Sequence, residues 1–425
     1  SSYGYNMHMF NWWADLLRAT DTFENTSGAP YIKWIKDSIA ENKSYKTMVH
    51  QLIAATGGGW QNGAVGYYVR DQGMLKDNMA NTTRIFLGTR IECAQCHHHP
   101  FEKWTQKQYF EMAAFFGSVG IRPGFRSGEE IVYEKRFENE VMHPKSGRPV
   151  RAQYLVSSSH APLIPEGDSR AALAEWLTSK DNPFFARAIA NRMWSYFFGR
   201  GIIEPVDDIR ASNPPVNEAL LSALAKDLTE HDFDLQHLIR TIVESRTYQA
   251  SFQTNEWSQT DYINFSHHWP RRLTAEQLAD AIAMATGSTF DFPTVPKGFR
   301  ASQLPDPHVG RGGFLDLFGR PQREQPCECE RRSEMSLPQA LNLVNGTTLA
   351  RAVADPEGRV STLIVSGANN QRLVEELYLA TLSRFPTSAE NELAEKVLNQ
   401  ADSRARAGQD LLWALLNSNG FLFNR

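Results

Sequence analysis

The residues with the clearest chemical potential form one short stretch, Cys93-Ala94-Gln95-Cys96-His97. This Cys-x-x-Cys-His order is typical of c-type haem attachment, in which two thiols add to the haem vinyl groups and the next imidazole binds iron. Two cysteines at this spacing project from one short turn, and neutral imidazole is a common iron ligand. We therefore predict a covalent haem on Cys93 and Cys96, with His97 as the proximal ligand.

The same stretch also allows a structural metal site, a local disulfide or a redox dithiol. The chain has four cysteines, and the other two form the close pair Cys327 and Cys329. Side chains two residues apart on extended backbone share one face, so both sulfurs could meet one metal ion, whereas we expect the short spacing to disfavour a disulfide between them. The main alternative to haem is a four-thiolate zinc site built from Cys93, Cys96, Cys327 and Cys329. Buried thiols, or disulfides between the two loops, are the remaining interpretation.

A haem iron with two strong axial ligands favours electron transfer, whereas an open distal position favours reactions of small molecules. His98 and His99 follow the proximal ligand too closely to reach the opposite haem face, although either could bind a second metal ion. The distal candidates are the methionines and three other histidines, namely His143, His160 and His308.

Arginines cluster around the second cysteine pair. Guanidinium groups match carboxylate geometry, so these side chains could hold haem propionates, and ordinary salt bridges are the competing interpretation. The four residues are Arg320, Arg323, Arg331 and Arg332.

A group of three carboxylates suggests a different class of function. Glu204, Asp207 and Asp208 follow an extended run and could act as the paired acids of a polysaccharide-degrading enzyme. Acidic residues beside a turn more often cap a helix or face solvent.

Composition limits the class of protein. The chain has 425 residues, 41% hydrophobic and 22% charged, which is enough for two or three domains with their own cores. A net charge of −4 gives no reason to expect nucleic acid or an anionic membrane as a partner, and no apolar run is long enough to span a bilayer. Because the sequence opens at Ser1 without Met and enters an amphipathic pattern almost at once, we expect an N-terminal portion to be missing.

Hydrophobic periodicity predicts a mainly α protein with two helical domains. We place the first at residues 1–120, an irregular and partly extended linker at 121–167, and the second at 168–425. Thr274 with Gln277, and Thr387 with Glu390, have the spacing of capping boxes. Aromatic residues from Phe101 to Phe116 recur at helical spacing after the cysteine motif, either as core or as the wall of a haem pocket. Short strands or extended loops are predicted at 130–133 and 150–156.

Longer motifs cover nearly the whole chain. The run from Phe86 to Phe101, followed by Trp104-Thr105-Gln106, resembles the first of two paired domains of unknown function in planctomycete-type cytochrome-c-associated proteins. The segments that resemble the second domain are Asp181 to Arg187, Asn191 to Trp194, Phe197 to Gly201, Ser245 to Gln249, Arg271 to Glu276, Phe318 to Pro321, Cys327 to Arg331 and Trp413 to Ser418.

The resemblance implies an exported protein, periplasmic or on the cell surface, whose relatives start earlier and often carry a separate cytochrome c domain. Relatives usually have an acidic or amide residue where this chain has His98. No settled activity comes with the family. We therefore expect extracytoplasmic electron transfer or haem-dependent redox chemistry with a redox partner protein. The alternative is a metal- or disulfide-stapled structural protein of an exported assembly.

Overall fold

The computed structural model describes residues 2–24, 26–135, 141–156, 160–165, 168–331 and 334–424. Helices dominate it and the strands are few and short, which confirms the mainly α prediction. The chain divides into two compact units. Unit 1 comprises residues 1–269 with 323–328, and unit 2 comprises residues 270–322 with 329–425.

Unit 1 is built mainly from helices, of which α1 and α8 are buried on most sides. Its helices are α1 (Tyr3–Leu16), α2 (Ala29–Ala40), α3 (Tyr45–Ile53), α4 (Gly66–Val69), α5 (Leu75–Leu87), α6 (Gln106–Ala113), α7 (Arg170–Leu177), α8 (Phe185–Phe198), α9 (Glu218–Glu230) and α10 (Leu235–Val243).

Aromatic rings join these helices in the unit 1 core. Tyr45 of α3 stacks on Phe185 of α8 with ring centroids 4.5 Å apart, and Trp13 of α1 lies 5.9 Å from Tyr45. All three side chains are buried. Large aromatic rings remove much apolar surface from water, so this cluster fixes α1, α3 and α8 against one another.

Short strands complete unit 1. The antiparallel pair β1 (Thr22–Phe23) and β2 (Thr26–Ser27) forms a small ribbon, and β3 (Gly57–Gly58), β4 (Val119–Pro123) and β5 (Glu130–Glu134) form an antiparallel sheet in the order β3-β5-β4. The strand predicted at 130–133 is thus confirmed. The segment 150–156 forms no strand, although the Val150 amide donates to the Val141 carbonyl.

Unit 2 has a second core of its own. Its helices are α11 (Ala275–Thr286), α12 (Phe314–Leu317), α13 (Leu337–Asn345), α14 (Thr347–Val353), α15 (Arg359–Val365), α16 (Asn370–Leu382), α17 (Ser388–Gln400), α18 (Arg404–Leu416) and α19 (Asn419–Leu422). Strands β6 (Arg271–Arg272) and β7 (Phe423–Asn424) pair antiparallel and join the two ends of this unit.

The compact units divide the chain at residue 269. Tyr154, in the segment predicted as a linker, stacks on Phe115 at 5.2 Å and on Trp176 of α7 at 5.1 Å. The segment predicted as a linker therefore packs into the unit 1 core and joins the first helices to α7.

No helix in the described part of the chain combines the length and apolar character that a bilayer crossing requires.

Candidate functional site

The predicted haem-attachment stretch is a tight turn between α5 and α6. Helix α5 ends at Gly88, whose left-handed φ of 60° suits glycine. A 3-10 turn over Glu92–Gln95 then carries Cys93, and Cys96 follows it. Both cysteines are free thiols on the surface, while Ala94 between them is fully buried and anchors the turn. The two thiols are therefore accessible on one fixed piece of backbone.

Gln106, in the first turn of α6, fixes the backbone of this turn. Its buried side chain donates from Nε2 to the carbonyls of Gln95 and Cys96, at 3.0 and 2.9 Å. Tyr109 also donates from its hydroxyl to Gln95 Oε1 at 3.2 Å. The turn thus needs the side chain of a residue ten positions downstream.

Hydrogen bonds distinguish the three consecutive histidines. His97 Nδ1 lies 2.6 Å from the His98 carbonyl oxygen, which can only accept, so Nδ1 carries the proton and the Nε2 lone pair is left for another partner. His98 Nδ1 and His99 Nδ1 instead accept from the amides of Gln106 and Phe101, at 3.1 and 3.2 Å. His97 alone of the three has the tautomer that iron ligation through Nε2 requires.

The donor set therefore fits c-type haem attachment, with two exposed free thiols and an exposed imidazole in the ligating tautomer. The second metal proposed for His98 or His99 finds less support, because each ring already accepts a backbone hydrogen bond at Nδ1. A neutral imidazole that accepts at Nδ1 has its proton at Nε2 and offers no second lone pair.

The aromatic residues after the motif belong to the core. Trp104 is 3% exposed, and Tyr109, Phe115 and Phe116 are equally buried within unit 1, whereas Phe101 is 72% exposed. Trp104 packs against Phe184, with ring centroids 6.4 Å apart. Of the two interpretations of these aromatics, core packing is the one found.

Cys327 and Cys329 are both disulfide-bonded, and since the other two cysteines are free, they are bonded to each other. The expectation that two-residue spacing disfavours an internal disulfide was wrong, because the backbone turns as a 3-10 helix at Glu328–Glu330 instead of remaining extended. In this oxidised form the pair supplies no thiolates, so the four-thiolate zinc arrangement would first require reduction.

The arginines near the second cysteine pair are bound to protein groups. Arg320 pairs with Asp316 at 2.9 Å and Arg331 pairs with Glu276 at 2.7 Å. Arg323 donates to Asp15 at 3.0 Å and is buried. The three arginines thus form ion pairs within the protein, which was the alternative to binding haem propionates. Arg332 lies outside the described residues.

The histidines considered as distal ligands also have their own partners. His143 accepts from the Lys145 amide at 3.3 Å within a turn. His160 pairs with Asp181 at 3.1 Å and remains largely exposed, and His308 pairs with Asp306 at 2.6 Å in unit 2. All three contacts involve Nδ1, so none of them occupies Nε2, the other ring nitrogen.

Asp207 forms a buried ion-pair junction with two arginines, of which Arg90 lies three residues before Cys93. It accepts from Arg84 of α5 at 2.5 Å and from Arg90. Burial by itself would raise the pKa of Asp207, but the hydrogen bonds and charges of Arg90 and Arg84 outweigh burial and lower it. This carboxylate stays ionised and ties the segment before the cysteines to the loop after α8.

The other two predicted acids are also held by local contacts. Glu204 accepts from the Gly201 amide at 2.8 Å, and Asp208 pairs with Arg210 at 3.2 Å. A glycosidase needs one carboxyl group whose pKa is raised so that it can donate a proton. The lowered pKa of Asp207 and the structural contacts of its neighbours give no support to that role.

Two kinds of supporting residue were not singled out from the sequence. Arg84 and Arg90 hold Asp207, and Gln106 holds the cysteine turn. The sequence pointed to Gln106 only through the Trp104-Thr105-Gln106 motif, because glutamine is common in the first turn of helices.

Comparison with known proteins shows two matches to family models. A protein family of unknown function, DUF1553 (PSD1), matches residues 169–398, and a second family of unknown function, DUF1549 (PSCyt2), matches residues 1–120. No curated protein and no solved structure matches the chain. DUF1553 and DUF1549 are the planctomycete cytochrome-c-associated families that the motifs resemble. The DUF1553 match alone covers more than half of the residues. The chain therefore belongs to the DUF1553 family, paired with an N-terminal DUF1549 domain.

Proposed function

We propose that this chain is an exported c-type haem protein that takes part in extracytoplasmic electron transfer. Cys93 and Cys96 would hold the haem through thioether bonds, and His97 would bind iron through Nε2. The observation that carries the proposal is the hydrogen bond from His97 Nδ1 to the His98 carbonyl, because it leaves the ligating nitrogen available beside two free thiols.

The surface position of the site favours electron exchange over enzymatic chemistry. Cys93, Cys96 and His97 are all exposed, and the aromatic side chains from Trp104 to Phe116 are used in the core. A bound haem supplies one-electron redox chemistry, and the residues of this turn would present it to a partner protein. Catalysis that depends on excluding water needs a closed site, which these exposed residues do not form.

The second cysteine pair supports the proposal that the protein is exported. Disulfides persist in oxidising compartments and are rare in the cytosol. The disulfide between Cys327 and Cys329 is therefore in keeping with an exported protein, as is the family membership.

The test is to express the chain with a signal peptide in bacteria that carry the c-type haem maturation apparatus. We expect a haem absorbance spectrum that stays with the polypeptide after acid–acetone extraction. Cys93→Ala and Cys96→Ala should each weaken this covalent retention, and His97→Ala should change the axial-ligand spectrum. His99→Ala is the matched control, because its ring has the other tautomer, and it should retain a wild-type spectrum.

A colourless protein that contains stoichiometric zinc would contradict the proposal and favour the metal-stapled alternative. A haem spectrum that is unchanged by His97→Ala but lost in His99→Ala would contradict the assignment of the proximal ligand.

A further inference from the structure

The end of α9 and the start of α10 bring one carboxylate and two imidazoles together. Asp227 Oδ2 lies 2.8 Å from His237 Nε2, and Asp227 Oδ1 lies 3.3 Å from His231 Nδ1. The two imidazoles stack at a centroid distance of 3.7 Å and an interplanar angle of 19°. One ligand atom from each residue lies within 4.8 Å of the others.

The loop between the helices is built to hold this arrangement. Phe233 is fully buried, lies 5.3 Å from the Phe185 ring and donates its amide to the Leu228 carbonyl. Asp234 then caps α10 by accepting from the amides of Gln236 and His237, at 2.8 and 3.2 Å. Because the loop is anchored in the core and capped at the next helix, the positions of the two histidines are set before any ligand binds.

The three side chains are polar, close together and accessible to solvent. Their exposures are 33% for Asp227, 48% for His231 and 30% for His237. His237 Nε2 faces the Asp227 carboxylate, whereas His231 Nδ1 lies 3.3 Å from it and donates to the Asp227 main-chain carbonyl at 2.9 Å. Rotation of the two solvent-accessible rings would let a cation meet oxygen and nitrogen donors without unfolding either helix. Two imidazoles and a carboxylate are the ligand types that zinc-class transition metals prefer, with water completing the coordination.

We propose that Asp227, His231 and His237 form a binding site for a divalent transition-metal ion of the zinc class. This site is independent of the proposed haem turn and uses none of its residues. In the metal-free protein His237 Nε2 donates its proton to Asp227, and His231 Nδ1 donates to the Asp227 main-chain carbonyl at 2.9 Å. An ion bound at either nitrogen therefore requires that neutral ring to carry its proton on the other nitrogen.

Titration with Co²⁺, a coloured substitute for Zn²⁺, tests the proposal on the full chain. We expect the wild-type protein to bind Co²⁺ without thiolate charge-transfer bands at this site, and Zn²⁺ to displace it. His237→Gln, His231→Gln and Asp227→Asn should each lower the affinity at least about tenfold, since loss of even an outer-sphere partner typically costs 10–100-fold. His160→Gln is the matched control, because it removes an exposed imidazole that also pairs with an aspartate, at 3.1 Å, and it should leave the affinity unchanged.

Nuclear magnetic resonance of histidine labelled with ¹⁵N provides a measurement on the wild-type protein that does not depend on the folding of any variant. Zn²⁺ should shift the ring nitrogens of two histidines, and those signals should be the ones missing in His231→Gln and His237→Gln. The proposal would be overturned if Zn²⁺ left the ring nitrogens unshifted or if the affinity were unchanged in all three variants. It would also be overturned if the cobalt bands disappeared only when Cys93 and Cys96 are replaced.

Discussion

At the scale of single residues, identical side chains in this chain have different chemical capacities. His97, His98 and His99 are consecutive, yet only His97 donates from Nδ1, and the other two accept there. The difference arises from which backbone group lies within reach of each ring. The proximal role predicted for His97 is consistent with that tautomer and remains to be tested by spectroscopy.

Asp207 shows how a buried charge can be tolerated when two cations share it. Its side chain is 3% exposed, and both partners, Arg84 and Arg90, lie in or just after α5. Removing one member of such a group leaves buried charge without compensation, which costs more than the group contributes when intact.

Replacing Asp207 with Asn should therefore lower the free energy of unfolding by about 3 kcal/mol at neutral pH, at the lower end of the usual range because Arg90 is 40% exposed. The lowered pKa of Asp207 means that its contribution is fully present above the ordinary carboxyl pKa of about 3.9 and is lost as the pH falls through the lower folded-state value. Urea unfolding between pH 2 and pH 7 should show a shallower acid dependence in Asp207→Asn than in the wild type.

The neighbouring Asp208→Asn is the matched control, because Asp208 pairs with the partly exposed Arg210 at the longer distance of 3.2 Å. It should change stability by less than about 1 kcal/mol. Equal losses in the two variants would contradict the special role of the Asp207 junction.

At the scale of elements, local sequence signals fixed helix ends with good accuracy. Both predicted capping boxes are confirmed: Thr274 caps α11 together with Gln277, and Thr387 caps α17 together with Glu390. Gly346, which is extended with ψ of 140°, separates α13 from α14. A Cβ at that glycine would lie 2.2 Å from the Asn342 carbonyl oxygen, so the close approach requires glycine.

Removing the Thr274 hydroxyl should destabilise α11. Its Oγ1 accepts from the Gln277 amide at 3.4 Å, and its own amide donates to Gln277 Oε1 at 3.0 Å. Thr274→Ala should therefore lower the free energy of unfolding by about 0.5–2 kcal/mol, measured by urea denaturation. Thr274→Ser keeps the hydroxyl and should recover most of the loss, and a serine variant as unstable as the alanine variant would refute the capping explanation.

At the scale of the whole molecule, the described residues form two hydrophobic cores, as expected for a protein of two helical domains. One core runs from α1 to α10 and the other from α11 to α19. Leu173 belongs to the first and Leu278 to the second, and both are fully buried. Proteins with more than one core commonly unfold in more than one transition.

Calorimetry of the chain should resolve two unfolding transitions, each sensitive to one core. Leu173→Ala should shift one transition and Leu278→Ala the other, with a loss of about 2–5 kcal/mol in each case because both substitutions leave a cavity. Ala substitution at the exposed Leu393 is the control and should shift neither. A single transition that both core variants displace equally would show that the two units unfold together.

The sequence by itself determined the helical class, the capping boxes and the family, because these depend on periodicity, short motifs and residues close together in the chain. Tertiary structure alone decided which ring nitrogen of His97 is available, that Gln106 fixes the cysteine turn, and that Asp207 serves an ion-pair junction. It also placed Asp227, His231 and His237 together. Those features depend on hydrogen bonds and charges between groups that meet only after the helices pack. Residue types and their spacing in the sequence do not specify which of these groups come into contact.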